Sequence, residues 1–164
     1  MSAKTVKPTL KTDVQRELAR IHVQGRGRLE IDTGAGQLTA EILAADAIGC
    51  TFETFGYQTD KLAGLSMDKL KKLSDALTAR LTYLLEPIST VETDAETATV
   101  QLRSNPPQKD DDGSSYYELL VRRGGELSLC RYQKAPGQVR QIVPAHLTRQ
   151  VFERLADDFV AVVG

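Results

Sequence analysis

The fold is decided by residues 116–132, which read YYELLVRRGGELSLCRY. Two runs of alternating residues flank the Gly124-Gly125 pair, and both glycines can adopt the positive φ that a two-residue hairpin turn requires. Such a turn pairs Leu119 with Cys130 on an apolar face. The chain is therefore expected to contain an antiparallel sheet.

The remaining segments read, in order, as a helix, three strands, a helix, about five strands and a helix. Residues 66–85 form the clearest helix, because leucines recur at helical spacing, Ser66 is a good N-cap and Pro87 ends the run. Residues 38–47 alternate like a strand, although their composition also favours a helix. We predict an α+β fold in which an antiparallel sheet or sheets of about seven to eight strands are flanked by a central and a C-terminal helix, with a short N-terminal helix.

The chain has 164 residues, of which 41% are hydrophobic. That length and composition suit one domain with a sizeable core. Residues 1–11 are rich in lysine and poor in apolar side chains, so we predict a flexible basic arm followed by a single domain over 12–164. A weak similarity between residues 28–85 and 96–162 suggests an internal repeat.

The charges are balanced overall, with 21 basic and 22 acidic residues, but they are segregated along the chain. Residues 1–28 hold seven basic and two acidic residues, whereas residues 86–112 hold two basic and seven acidic residues. Residues 115–149 are again basic, with six basic and two acidic residues. This segregation of charge indicates local contacts with a partner, and the balanced total does not indicate a protein coated uniformly with one sign of charge.

The sequence carries no export signal and no apolar run long enough to span a bilayer. Cys50 and Cys130 are far apart, so we expect two reduced thiols and a cytoplasmic location. The acidic run at residues 110–113 fails the ligand spacing of a calcium-binding EF-hand loop. No nucleotide-binding motif is present either, and we therefore predict no metal and no cofactor.

Two features could support catalysis. The motif Asp32-Thr33-Gly34-Ala35 follows a predicted strand and resembles the active-site motif of retroviral aspartic proteases, which implies a hydrolase whose Asp32 carboxylate shares a proton with a second one. The alternative interpretation of the same four residues is a hairpin turn.

The second catalytic alternative is a cysteine–histidine pair. His22 and His146 are the only histidines, and either could approach Cys50 or Cys130 in space. No nucleophile motif surrounds them, so the prediction favours no catalytic residue and no enzyme.

The favoured interpretation is a non-catalytic binding protein, an adaptor or a chaperone-like protein, that contacts another protein or a second copy of itself. The order of helices and strands resembles that of the small dimeric chaperones of type III secretion, which hold partner segments on a sheet and helix surface. Arginine and tyrosine are favoured at interfaces. The predicted contact residues lie on the hairpin face opposite the apolar face of Leu119 and Cys130. They are Tyr116, Leu120, Arg122, Leu127 and Arg131. Replacing the two arginines by glutamate is then expected to abolish an interaction without lowering thermal stability.

Nucleic-acid binding is a further, less favoured alternative. It would use the basic arm, the Gly25-Arg26-Gly27-Arg28 stretch and the hairpin arginines on phosphates. The chain has no tryptophan, and few aromatic residues alternate with its basic side chains to stack on nucleobases. This alternative therefore ranks below protein binding.

Overall fold

The computed structural model describes residues 9–164. Within that part the chain forms three α-helices, ten strands and two short 3-10 helices. The helices are α1 (Leu10–Gln24), α2 (Met67–Arg80) and α3 (Arg149–Val163), and the 3-10 helices are Asp60–Leu62 and Leu81–Leu84. The strands are β1 (Gly27–Asp32), β2 (Gln37–Ala45), β3 (Gly49–Gln58), β4 (Ile88–Asp94), β5 (Thr99–Ser104), β6 (Gln108–Asp110), β7 (Gly113–Arg122), β8 (Glu126–Lys134), β9 (Gln141–Val143) and β10 (Ala145–Thr148).

All ten strands belong to one antiparallel sheet with the order β1-β2-β3-β8-β7-β5-β4. The short strands β6, β9 and β10 pair with β7, β8 and β3 respectively. The α+β class, the antiparallel sheet and the central and terminal helices are thus confirmed. The sheet has more strands than expected, because residues 108–110 pair with the start of β7 and two short strands precede α3. Residues 37–45 are a strand, which settles the ambiguity over residues 38–47.

The three helices pack side by side on one face of the sheet. Helix α1 lies against β1 and β2, α3 lies against β3 and β10, and α2 lies against β4, β5 and β7. Helix α3 also contacts both other helices. We call the sheet face away from the helices the outer face.

The core is built around four phenylalanines where α3 crosses β3. Phe55 contacts Phe152 and Phe159 edge-on, at ring-centroid distances of 5.4 and 4.9 Å. Phe52 joins them because a bulge at Glu53 interrupts the alternation of β3, so that Phe52 and Phe55 both face the helices. Without that bulge one of the two rings would point to the outer face.

Local signals place the helices. The Ser66 hydroxyl accepts the Lys69 N–H and caps α2, as predicted. Helix α1 begins at Leu10 with Thr9 as its N-cap, so it starts within the predicted arm. The last residues of the predicted arm 1–11 are therefore helical, and residues 1–8 lie outside the described residues.

The predicted register of the central hairpin is wrong by one residue. Leu119 pairs with Leu129, and Glu118, not Leu119, lies opposite Cys130. The turn contains three residues, 123–125, and not two, because the Arg123 N–H bonds to Ala98 and the Gly125 carbonyl accepts a bond from Thr59. These bonds to neighbouring strands hold the longer turn in place.

Removing one ring from the aromatic core tests this packing. Phe159→Ala should lower the free energy of unfolding by about 3–5 kcal/mol, since the side chain is fully buried and its removal leaves a cavity. Urea denaturation followed by circular dichroism measures the change. Val23→Ala, at a side chain that is 90% exposed, is the control and should change stability by less than about 0.5 kcal/mol. A loss below 1 kcal/mol for Phe159→Ala would contradict the packing.

Candidate functional site

The outer face carries a cluster of two arginines and two tyrosines around Glu118. The guanidinium carbon of Arg140 lies 3.9 Å from the centroid of the Tyr132 ring, and that of Arg103 lies 5.2 Å from the Tyr116 ring. Both arginines also contact the Glu118 carboxylate, with Arg103 Nε 3.2 Å and Arg140 Nη2 3.4 Å from its oxygens. We call these five residues the arginine–tyrosine cluster.

The charges within this cluster compensate each other. Burial alone would raise the pKa of the Glu118 carboxyl, but hydrogen bonds from Arg140, Gln101 and Arg103 outweigh burial and hold that pKa below its usual value. The carboxylate is therefore ionised at neutral pH and neutralises part of the positive charge around it. Burial also raises the pKa of the Tyr132 hydroxyl to about 12. The charged and aromatic side chains of the cluster thus contact one another.

The five predicted contact residues do not form one surface. Tyr116, Leu120 and Arg122 lie on the outer face, where Tyr116 is buried within the cluster and Leu120 is half-buried. The corrected register places Leu127 and Arg131 on the opposite face, towards the helices, where Leu127 is fully buried. The expectation that the five share one face is therefore wrong. A partner contact by any of them remains a prediction.

Arg131 takes part in a buried ion pair. Its Nη1 lies 3.0 Å from Oε2 of Glu86, and the two side chains are 16% and 10% exposed. The guanidinium also stacks on Tyr117, at 4.7 Å from the ring centroid, and donates to the Ser115 hydroxyl. The other carboxylate oxygen of Glu86, Oε1, is buried and has no hydrogen-bond partner within the described residues. Arg131 is thus a structural residue that fixes the segment before β4 to the sheet.

Asp32 is the last residue of β1 and precedes the turn to β2. Its carboxylate is exposed and accepts the backbone N–H of Gly34 at 2.8 Å, which is the geometry of an Asx turn. Thr33 closes the same turn by donating to the Gly36 carbonyl. A polar cleft of about 580 Å³ lies beside the turn and is also lined by Asp60. The contacts of Asp32 are those of the hairpin-turn alternative.

The cysteines and histidines are not arranged as nucleophile and base. His146 lies opposite Thr51, whose hydroxyl is 2.8 Å from its Nδ1, whereas the neighbouring Cys50 is buried on the helix side. Successive residues of a strand point to opposite faces, so the Cys50 thiol and the His146 ring are separated by the sheet. His22 is exposed on α1.

Both thiols are poorly ionised. Burial raises the pKa of Cys50 to about 12. Burial also raises the pKa of Cys130, which lies beside Glu118 on the outer face and not on the predicted apolar face.

Two exposed apolar residues lie at the β4 edge of the sheet. β4 pairs with β5, and residues 9–164 supply no strand for its other side. Leu85, three residues before β4, is 86% exposed, and Val91 within β4 is 49% exposed. Leu85 also adopts a left-handed conformation with φ of 63°, which costs a leucine about 1 kcal/mol. We call Leu85 together with β4 the β4 edge surface.

A groove of about 470 Å³ adjoins this surface between α2 and the start of β4. Its walls are mainly aliphatic, and include Ala79, Leu85 and Ile88. Its charged lining residues are Asp75 and Glu86, both acidic. The groove therefore offers apolar contacts together with negative charge.

Sequence reasoning missed the β4 edge surface. The predicted helix extended to Leu85, and residues 86–112 stood out only by their acidic charge. The leucine pattern did not indicate it, since Leu85 follows Leu81 by four residues and so lies at the helical spacing of the buried stripe. Leu85 is exposed because the helical segment ends at Leu84 and Leu85 adopts a left-handed conformation.

No group of three or more histidine, cysteine or acidic side chains in residues 9–164 is arranged to hold a metal ion. In the same part of the chain every helix is too short or too polar to cross a membrane. Comparison of the chain with models of protein families, with curated proteins and with solved structures finds no match in any of the three.

The two hairpin arginines should respond differently to charge reversal, which corrects the expectation that neither substitution lowers stability. Arg131→Glu should lower the free energy of unfolding by about 3–5 kcal/mol, because it removes the partner of buried Glu86 and adds a second buried acid. Arg122→Glu should change it by less than about 1 kcal/mol, since Arg122 is exposed. Urea denaturation measures both. Equal effects of the two substitutions would contradict the assigned faces.

The raised pKa of Cys50 predicts slow alkylation. The thiolate fraction falls as the pKa rises, so the rate of reaction with iodoacetamide should increase about tenfold per pH unit from pH 7 to 10 and not level off near 8.5. Mass spectrometry of the Cys50 peptide measures the rate. The chain unfolded in guanidinium is the control. A folded-state rate at pH 7 equal to that of the unfolded chain would show that Cys50 is an accessible, ionised thiol.

Proposed function

We propose that this protein is a non-catalytic binding protein, an adaptor or a chaperone-like protein of the cytoplasm, that takes an extended segment of another polypeptide as an additional strand at β4. The observation that supports the proposal is the β4 edge surface. A strand paired on one side presents a row of backbone donors and acceptors to which an extended peptide can bond.

The two edges of the sheet differ in how they are protected. At β1 the charged Arg28 and Glu30 bond to each other at 2.8 Å, and Arg28 also contacts Glu41 on β2. Charged side chains of this kind discourage pairing with another chain. At β4, residues 88–91 carry no charge, and a bulge at Val91 and two acids are confined to the second half of the strand. The first half of β4 is therefore suited to pairing.

Leu85 supports the same proposal from its energetics. An exposed leucine in a left-handed conformation costs free energy in the isolated protein and contributes little to its core. A partner that covers Leu85 would recover the burial of a large aliphatic side chain, which is worth about 1.5–3 kcal/mol. The other highly exposed apolar side chains, Val23, Ile48 and Val139, lie outside β4 and its flanking residues.

The arginine contacts favour protein binding over nucleic-acid binding. Arg28 contacts Glu30 and Glu41, Arg122 contacts Glu126, and Arg131 contacts Glu86. Phosphate binding would have to compete with these carboxylates. Self-association is the alternative, in which β4 of a second copy of this chain would pair with β4 in place of a different polypeptide.

Peptide selection tests the proposal. A library of random twelve-residue peptides on phage is selected on the immobilised full chain, and enriched peptides should be rich in residues that favour strands. Leu85→Asn should weaken the binding of a synthetic enriched peptide at least tenfold. The same substitution should leave the free energy of unfolding unchanged or raise it by up to about 1 kcal/mol, because asparagine tolerates the left-handed conformation.

Ile48→Asn is the matched control, since Ile48 is also exposed but lies in the turn before β3. It should leave peptide binding unchanged. Failure to enrich any peptide, or binding that is insensitive to both Leu85→Asn and Val91→Lys, would refute a peptide site at β4.

A further inference from the structure

We infer that the segment bound at the β4 edge surface is basic, and that one of its lysine or arginine side chains enters the groove between α2 and β4. This inference rests on the proposed function and specifies the chemistry of the partner. It follows from the charges along the edge and from the lining of the groove.

The charged residues of the edge are all acidic, and they flank the uncharged residues 88–91. Residues 81–102 contain four acidic residues and no basic one. Glu92 and Asp94 are exposed on β4 itself. Arg103 of β5 lies opposite Ser89, but it contacts Glu118 on the outer face. Within residues 9–164 Glu86 is paired with Arg131, whereas Glu92 and Asp94 have no ion-pair partner, so an approaching strand meets negative charge along the second half of β4.

The groove has the chemistry that a long basic side chain needs. Lysine and arginine carry an aliphatic stem and a charged end, and they bury the stem on apolar surface when a counter-charge lies at its end. The groove supplies aliphatic walls together with the carboxylates of Asp75 and of Glu86, the latter already paired with Arg131 through Oε2. Glu86 also has a buried oxygen, Oε1, with no hydrogen-bond partner within the described residues. A donor reaching this carboxylate would satisfy it.

The same charges disfavour a second copy of this chain as the occupant. Two β4 strands paired with each other would bring Glu92 and Asp94 of both copies into one small area without any basic residue of β4 to offset them. Like charges across paired strands are destabilising. A basic segment of a different polypeptide avoids that repulsion.

Two restricted peptide libraries test the charge of the partner. Both have twelve residues with valine, isoleucine, leucine or threonine at alternate positions; the intervening positions are lysine or arginine in the first library and glutamate or aspartate in the second. The full chain should bind peptides of the basic library at least tenfold more tightly at low salt, and the difference should narrow at high salt because of screening. Fluorescence anisotropy of labelled peptides measures the affinities.

Charge reversal on the edge provides the decisive comparison. The double substitution E92K and D94K should reverse the preference to the acidic library, because both residues are exposed on β4. The control E53K and D111K makes the same change in net charge at exposed positions on β3 and in the turn before β7, and it should leave the preference unchanged. Ala79→Lys, which places a cation in the groove, should weaken basic peptides at least tenfold.

The outcomes separate this inference from the proposed function. Binders from the random library together with equal affinity for the two charged libraries, or tighter binding of acidic peptides, would overturn the inference and leave peptide binding intact. An absence of binding from all three libraries would refute both. A dimer in light scattering that Val91→Lys dissociates would show that the occupant is a second copy, and would also overturn the inference.

Discussion

The antiparallel pairing of β3 with β8 is the constraint on which the rest of the structure depends. It joins the strands that precede α2 to those that follow it, through pairs such as Phe55 with Leu129 and Tyr57 with Leu127. The sheet order is symmetric about this pair, with β2 and β7 next to it and β1 and β5 beyond them. Such an order is what an internal repeat over residues 28–85 and 96–162 would produce, and the repeat remains a prediction.

The central pair also determines where the helices can lie. Phe52 and Phe55 on β3 provide the aromatic surface that α3 covers with Phe152 and Phe159. With α3 over the centre of the sheet, α1 and α2 occupy the two sides. Helix α2 contacts β4 as well as β5 and β7, but β4 is the last strand on that side of the sheet, so its outer edge has no strand partner within residues 9–164.

Features that depend on neighbouring residues in the sequence were predictable. The cap at Ser66, the leucine stripe of α2 and the alternation in β1 and β2 are local, and the structure has the predicted elements there. The hairpin register was not predictable in the same way. The Gly124-Gly125 pair suits a two-residue turn, but bonds from Arg123 to Ala98 and from Thr59 to Gly125 select a three-residue turn. Those partners lie more than twenty residues away, and a shift of one residue exchanges the faces of Leu127 and Arg131.

The same distinction explains why the proposed binding surface is the acidic β4 edge surface and not the basic hairpin expected from the sequence. The sequence shows which segments are basic or acidic, but only the fold decides which charges meet. Arg131 of the hairpin contacts the buried carboxylate of Glu86, and Arg103 of β5 and Arg140, which precedes β9, contact that of Glu118, so these three cations are paired within the protein. The acids of β4 face outward at the margin of the sheet, where the described residues provide them with no cation. The acidic segment 86–112 keeps unpaired charge at β4, whereas the basic segment 115–149 is partly neutralised by Glu86 and Glu118, so the character of a surface depends on which charges the fold pairs.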